Sequence, residues 1–301
     1  MPRCARIKSP SSIYHIMIRS ISEVKLFKTD EDKIRYMGLL KKYQALYYFK
    51  VYAYCLMNNH AHFIIDANGA DISKIMHSIN FSYAIYFNRV HKRNGHLFQD
   101  RFKSKVVNNQ RYLYTLTAYI HNNPSDIKNY KGKPEKYRFS SLNVYLSAKK
   151  DPFMVLDLDF IKAHLICNMN NNYLDFVKVN FDLEEKSDIE FFCDPTKYIS
   201  SKKPLTRNLK VDRLIDFICE KANIERRSLY IKYCRSSVQH RALLTILMRS
   251  FCDLKCSDIC RTLGNITQSR VSALSKIGLH LISSDEKYQK IINDFFEEYV
   301  S

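Results

Sequence analysis

Between Tyr14 and Pro124 the spacing of apolar positions switches repeatedly between the period of a strand and that of a helix. Tyr14-His15-Ile16-Met17-Ile18, rich in β-branched and aromatic types, predicts an opening strand. Asp30 to Tyr48 is charged, with Ile34, Met37, Leu40 and Tyr43 at helical spacing and Asp30 placed to cap it. Two strands follow, Phe49 to Leu56 and His60 to Ile65, flanking Asn58-Asn59 as a hairpin turn. Asp71 to Val90 carries Ile75, Ile79, Tyr83 and Phe87 on one helical face, and Phe98 to Val107 reads as a basic fourth strand. A helix from about Gln110 to Asn122 is then stopped by Pro124. The order βαββαβ predicts an α+β fold: a ferredoxin-like antiparallel sheet with helices.

Beyond Pro124 the periodicity is weaker. Lys131 to Leu156 is mixed and basic, Phe160 to Phe192 reads as helical, and Pro195 through Asn208 has the composition of a linker. From Leu209 onward the pattern is helical throughout. The chain therefore divides into a core over residues 1–130, a basic extension and linker over 131–200, and a helical domain over 201–301. Within the last, Leu254 to Leu274 reads as a helix-turn-helix. Ile259 and Leu263 pack its first helix, Gly264 makes the turn, and Thr267 caps the second helix. Val271, Leu274 and Ile277 bury the inner side, which leaves Gln268, Ser269, Arg270, Ser272 and Lys276 to face a major groove.

Charge adds the nature of the partner. The chain has 301 residues, 46% apolar and 26% charged, enough for two folded domains and unlike a disordered chain. Its 48 Lys+Arg against 30 Asp+Glu leave a net charge of +18, which points to nucleic acid or an anionic membrane. No run approaches the roughly 20 apolar residues of a membrane span. The opening Met1-Pro2-Arg3-Cys4-Ala5-Arg6, followed by polar Lys8 to Ser12, has no signal-peptide core. Nine scattered cysteines (Cys4, Cys55, Cys167, Cys193, Cys219, Cys234, Cys252, Cys256, Cys260) argue against a disulfide framework and for a reducing cytoplasm. Cys252, Cys256 and Cys260 lack a fourth ligand at zinc-finger spacing, so they read as buried free thiols. Nucleic acid is the leading partner.

The candidate chemistry is concentrated in two short segments. His60 and His62 lie two apart on a strand and so share a face, from which both imidazoles can bind one metal ion. The same spacing is also that of ordinary packing histidines. Tyr119 and Asn123 are four apart on a helix and share its face, so Asn123 offers an amide oxygen as third ligand and Tyr119 a nucleophile. His121 sits about 200° around from Tyr119 and points elsewhere. Tyr112, seven residues earlier, shares the face of Tyr119, and periodicity does not choose between the two tyrosines. Arg101, Lys103 and Lys105 alternate along the fourth strand, either as phosphate contacts or as charges that keep an edge strand from aggregating. Arg3, Arg6 and Lys8 can reach a groove or form a basic tail.

Met57-Asn58-Asn59-His60-Ala61-His62-Phe63-Ile64-Ile65, Phe98-Gln99-Asp100-Arg101-Phe102-Lys103-Ser104 and Tyr119-Ile120-His121-Asn122-Asn123-Pro124 follow one another in a telling order. Together they resemble the single-tyrosine HUH transposases of bacterial insertion sequences, and most of all the REP-associated tyrosine transposases. Tyr137-Arg138-Phe139-Ser140-Ser141 with Tyr145 resembles the aromatic-Ser-Ser segment that follows the core in that family. The resemblance covers roughly residues 10 to 180. Ala61 stands where the family usually has a bulkier apolar residue, while both ligand positions are intact.

The resemblance implies metal ligation by His60 and His62 with Asn123 as third ligand, and nucleophilic attack by Tyr119. It implies a divalent Mg or Mn ion as cofactor, with the nitrogen ligands favouring Mn. A tyrosine hydroxyl titrates near 10 and needs help from the phosphate side, which the ion would supply. Attack would give a covalent 5′-phosphotyrosine and free a 3′ hydroxyl, so that strands rejoin without ATP. The implied partner is DNA, as single strands and hairpins whose bases stack on aromatics. The implied setting is the bacterial cytoplasm at the nucleoid, and the implied process is DNA transposition or the processing of dispersed repeats. The sequence leaves open whether Tyr119 serves its own subunit or the partner in a homodimer. With the preceding helix His240 to Phe251, the helix-turn-helix resembles the C-terminal DNA-binding domain of the replication initiator DnaA, which implies a tether to duplex DNA. Two rival readings are a non-cutting DNA-binding regulator derived from such a transposase and a metal-dependent RNA nuclease that leaves no adduct.

Overall fold

The order expected up to Pro124 is found in a computed structural model of the chain: β1 (Ile13–Arg19), α1 (Asp30–Tyr47), β2 (Lys50–Leu56), β3 (His60–Asp66), α2 (Ile72–Val90), β4 (Lys103–Val106) and α3 (Gln110–Asn122). The structure describes residues 13–22, 24–107, 109–147, 150–161, 163, 173–178, 205–231, 235–252, 254–264 and 266–299. Arg3, Arg6, Lys8, most of the helical stretch expected over Phe160 to Phe192, most of the linker, and Cys4, Cys167, Cys193 and Cys234 lie outside them. The chain falls into two compact units, residues 1–44 with 49–203 and residues 45–48 with 204–301. Among the described residues no helix is long and apolar enough to cross a membrane.

In the first unit the strands form one sheet in the order β2-β3-β1-β4, with every pairing antiparallel. This is the ferredoxin-like α+β arrangement that the element order predicts. Ala61, Phe63 and Ile65 are fully buried on one face. There the Phe63 ring stacks on Tyr36 of α1, 5.8 Å between centroids, and Tyr36 in turn packs edge-on against Tyr83 of α2. α2 buries Ile75, Ile79, Tyr83 and Phe87, the stripe expected of it, and Asp71 caps it by accepting the Ser73 N–H.

Two local expectations are corrected. First, α1 is capped by Thr29 and Asp32 rather than Asp30: Thr29 Oγ1 accepts from the Asp32 N–H and Asp32 Oδ2 from the Thr29 N–H, a reciprocal box. Its buried stripe passes through Tyr36, Met37, Leu40 and Tyr43, and Ile34 is 41% exposed because the helix turns its Tyr36 side to the sheet. The Asn58-Asn59 turn joins β2 and β3 as expected, without either asparagine at positive φ. Its carbonyls are tied down instead, Asn58 O by the Phe27 N–H and Asn59 O by the Ser20 N–H, both at 3.0 Å.

Second, β4 is only four residues long. Phe98 bridges Ser20 and the Gln99 N–H donates to Arg19 O, while Lys103 pairs with Met17. Residues 100–102 must therefore bend away from β1, and Arg101 lies in that bend, off the strand that carries Lys103 and Lys105.

The segment after α3 covers the outer edge of β2. The Leu56 N–H donates to Phe139 O and the Ser141 N–H to Tyr54 O, each at 3.0 Å. The hydroxyls of Tyr137 and Tyr145 donate to Leu56 O and Tyr52 O at 2.6 and 2.8 Å. The aromatic-Ser-Ser run thus occupies an edge that would otherwise be open to another chain.

The second unit is helical: α4 (Val211–Ala222), α5 (Arg235–Phe251), α6 (Cys256–Thr262), α7 (Gln268–Ser284) and α8 (Glu286–Tyr299) surround a core that includes Leu214, Phe217, Leu247, Phe251, Ile259, Leu274 and Phe295. Gly264 takes φ +87° in the turn after α6, and Thr267 caps α7 by accepting the Arg270 N–H at 3.2 Å. Cys252 and Cys260 are buried free thiols as expected, but Cys256, the first residue of α6, is exposed.

Candidate active site

Strand register decides what shares a face with the paired histidines. Along β1 and β3, Arg19 stands opposite His60, Met17 opposite His62 and His15 opposite Ile64. Along β4, Lys103 stands opposite Met17 and Lys105 opposite His15. Directly opposed residues point to the same side of a sheet. His60, His62, His15, Arg19, Lys103 and Lys105 therefore lie on one face, the face on which α3 packs.

α3 brings Tyr119 and Asn123 to that face. Asn109 caps the helix by accepting the Tyr112 N–H at 2.7 Å, and Asn123 closes it just before Pro124. The Tyr119 ring meets His62 edge-on at 5.6 Å, and the rings of His60 and His62 are 5.1 Å apart. The Asn123 amide is oriented by its own helix: Nδ2 donates to Tyr119 O at 2.9 Å, which turns Oδ1 toward His60 Nε2 at 3.2 Å. On its other side, His60 Nδ1 lies 2.7 Å from Asn59 Oδ1. When the His60 proton sits on Nδ1 and is donated to Asn59, Nε2 presents a lone pair to Asn123 Oδ1. Two acceptors then face each other, an arrangement that a cation relieves, so these donor atoms fit a divalent ion. Among the described residues no group of three or more His, Cys, Asp or Glu side chains is placed to hold a metal. The set here is two imidazoles and an amide.

Behind His62 sits a residue that the sequence did not single out. His15 Nε2 lies 3.0 Å from His62 Nδ1, with the two rings nearly parallel. Both side chains are almost wholly buried. Burial, and then the Lys105 charge, hold the His15 pKa down to about 3. Burial and the neighbouring histidines push His62 well below the usual range. Both rings are neutral at physiological pH.

The other expected residues are placed as follows. His121 points away from the site, as its angle on the helix predicts: its ring nitrogens bond Tyr173 Oη and Ser141 Oγ, each at 2.7 Å, and burial lowers its pKa to about 3. Tyr112 is half-buried under the Lys105 ammonium, 4.8 Å from the ring centre, and burial raises its pKa. Lys103 and Arg101 are exposed, as is Arg19, which the sequence reading passed over. In the second unit Gln268, Ser269, Arg270, Ser272 and Lys276 are all exposed along α7.

Residues 8–123 match the model of the family described as transposase, IS200 like. No curated protein matches the chain. Among solved structures, that of a REP-associated tyrosine transposase bound to a REP hairpin aligns with a TM-score of 0.41 and 17% identity, over 48% of this chain and 86% of the solved one.

Proposed function

We propose that the protein cuts and rejoins single-stranded DNA through a covalent phosphotyrosine on Tyr119, a reading supported by the match of residues 8–123 to the IS200-like transposase model. The reading rests on one observation: the Tyr119 ring, the His60 and His62 imidazoles and the Asn123 amide oxygen meet on one face of the sheet. His60, His62 and Asn123 would hold a divalent Mg or Mn ion, which when bound supplies Lewis-acid polarisation of the scissile phosphate.

The chain's own groups do the rest. Tyr119 Oη attacks phosphorus in line, the new Oη–P bond forms as the P–O3′ bond breaks, the phenol gives up its proton and the departing 3′ oxygen takes one. The 5′ end stays on the protein, and attack by a 3′ hydroxyl reverses the step without ATP. Arg19, Lys103 and Lys105 surround the site with positive charge and hold phosphates without reading bases, and Arg101 extends that rim from its bend. Gln268, Ser269, Arg270, Ser272 and Lys276 on α7 contact the major groove of duplex DNA, as the recognition helix of a helix-turn-helix does.

The test is incubation of the full chain with single-stranded DNA flanking its own gene and Mn²⁺, followed by a denaturing gel. A protein–DNA adduct is expected from the wild type and none above background from His60→Ala or His62→Ala. DNA binding with no adduct under any divalent ion would make the protein a non-cutting regulator; cleavage with free ends and no adduct would make it a hydrolytic nuclease.

A further inference from the structure

The contact between His15 and His62 has a direction, and the direction matters for ligand chemistry. An imidazole nitrogen of each residue faces the other at 3.0 Å. At that separation the pair shares one hydrogen, so one nitrogen donates and the other accepts. If His15 Nε2 carries the hydrogen, His62 Nδ1 accepts it, and neutral His62 then bears its own proton on Nε2. That proton would block the nitrogen that the ring turns away from His15. If His62 Nδ1 carries the hydrogen, Nε2 has its lone pair available.

We propose that His15 is a positioning residue: its Nε2 accepts the His62 Nδ1–H and so fixes His62 in the tautomer whose Nε2 can ligate the ion. The inference deepens the metal reading above and rests on it. Two features support it. His15 is 4% and His62 1% exposed, so water is a poor substitute partner for either nitrogen. The two residues sit on adjacent central strands, β1 and β3, in a register that stacks their rings at 5.2 Å, so the ring plane of His62 is fixed along with its tautomer. A buried partner on the far nitrogen of a metal-binding histidine commonly sets affinity by orientation and basicity.

The test begins on metal-free, full-length wild-type protein with long-range imidazole ¹⁵N–¹H correlation spectra, His15 and His62 being assigned from their substitution variants. Both rings are expected as Nδ1–H tautomers; His62 found with its hydrogen on Nε2 would overturn the proposal, whatever any variant does. Mn²⁺ affinity is then titrated by electron paramagnetic resonance. His15→Phe keeps the shape and removes the acceptor, and it should weaken Mn²⁺ binding by about 10- to 100-fold. His15→Gln restores an acceptor and should recover most of the loss. Equal affinity in wild type and His15→Phe, or a His15→Gln protein as weak as His15→Phe, would count against it. Absence of Mn²⁺ binding by the wild type would sink the metal reading and the role of His15 with it. Mn²⁺ binding together with an Nε2–H His62 would sink the role of His15 alone.

Discussion

His121 and Tyr119 stand two positions apart on α3 and face opposite environments, a difference that helical geometry alone predicts. His121 is held neutral between Tyr173 and Ser141, with its pKa near 3 against about 6.5 in the unfolded chain. A depressed histidine pKa means that the unfolded state takes up the proton first. The stabilisation it carries is complete above pH 6.5 and is lost as the pH falls toward 3, at about 1.4 kcal/mol per pH unit. His121→Gln should therefore flatten the dependence of stability on pH between 6 and 4 by about one proton, read from urea unfolding at several pH values; an unchanged slope would show that this ring is already protonated in the fold. The residues of the candidate site were legible to different degrees. His60, His62, Tyr119 and Asn123 follow from periods of 2 and 3.6 and from the motif they form. His15 was not legible, because its nearness to His62 depends on the β1–β3 register, and nothing in the linear order of the chain states a register. Arg19 was passed over for the same reason.

At the scale of elements, strand and helix types could be read from β1 through α3, since each segment's apolar spacing agrees with what it packs against. The misreadings occur where tertiary contacts outbid local pattern. Thr29 and Asp32 cap α1 in place of Asp30, Tyr36 takes the inward position assigned to Ile34, and β4 is cut short because Gln99 bonds Arg19 O before the chain rejoins β1. The role of residues 137–145 in closing the edge of β2 was invisible, because it runs through backbone groups that carry no sequence signal. In the second unit, α5 and α7 cross so closely that a Cβ on Gly278 would lie 2.6 Å from Ala242 O and 2.7 Å from an Ile246 side-chain carbon. Backbone cannot yield as a flexible side chain can. Gly278→Ala should cost about 1–3 kcal/mol, measured by thermal or denaturant unfolding, and a neutral result would mean that the helices separate freely. Ser141 is a second element-scale test. Its hydroxyl contacts the Tyr54 N–H, Tyr54 O and His121, so Ser141→Ala should lower stability by about 1–3 kcal/mol through the groups left unpaired.

At the scale of the whole molecule, the surplus of +18 charges would favour a polyanionic partner. Each unit exposes a different set of polar and basic groups, one around the paired histidines and one along α7. If the helical unit contacts duplex phosphate, Arg270→Ala with Lys276→Ala should weaken duplex binding and reduce its log–log salt slope by about 2. Adduct formation on a single strand should be unaffected by the pair; an unchanged salt slope would remove α7 from the DNA interface. The fold class was legible from the order of strand and helix periods and the family likeness from short motifs in a fixed order, whereas the helical unit has only a common helical pattern to identify it. The most direct test of the central claim is to digest the Mn²⁺-dependent adduct and locate the attached nucleotide by mass spectrometry. The account predicts a nucleotide on Tyr119 and none when Tyr119→Phe, a variant that still binds the same DNA. A nucleotide on Tyr112, or an adduct that persists in the phenylalanine variant, would contradict it.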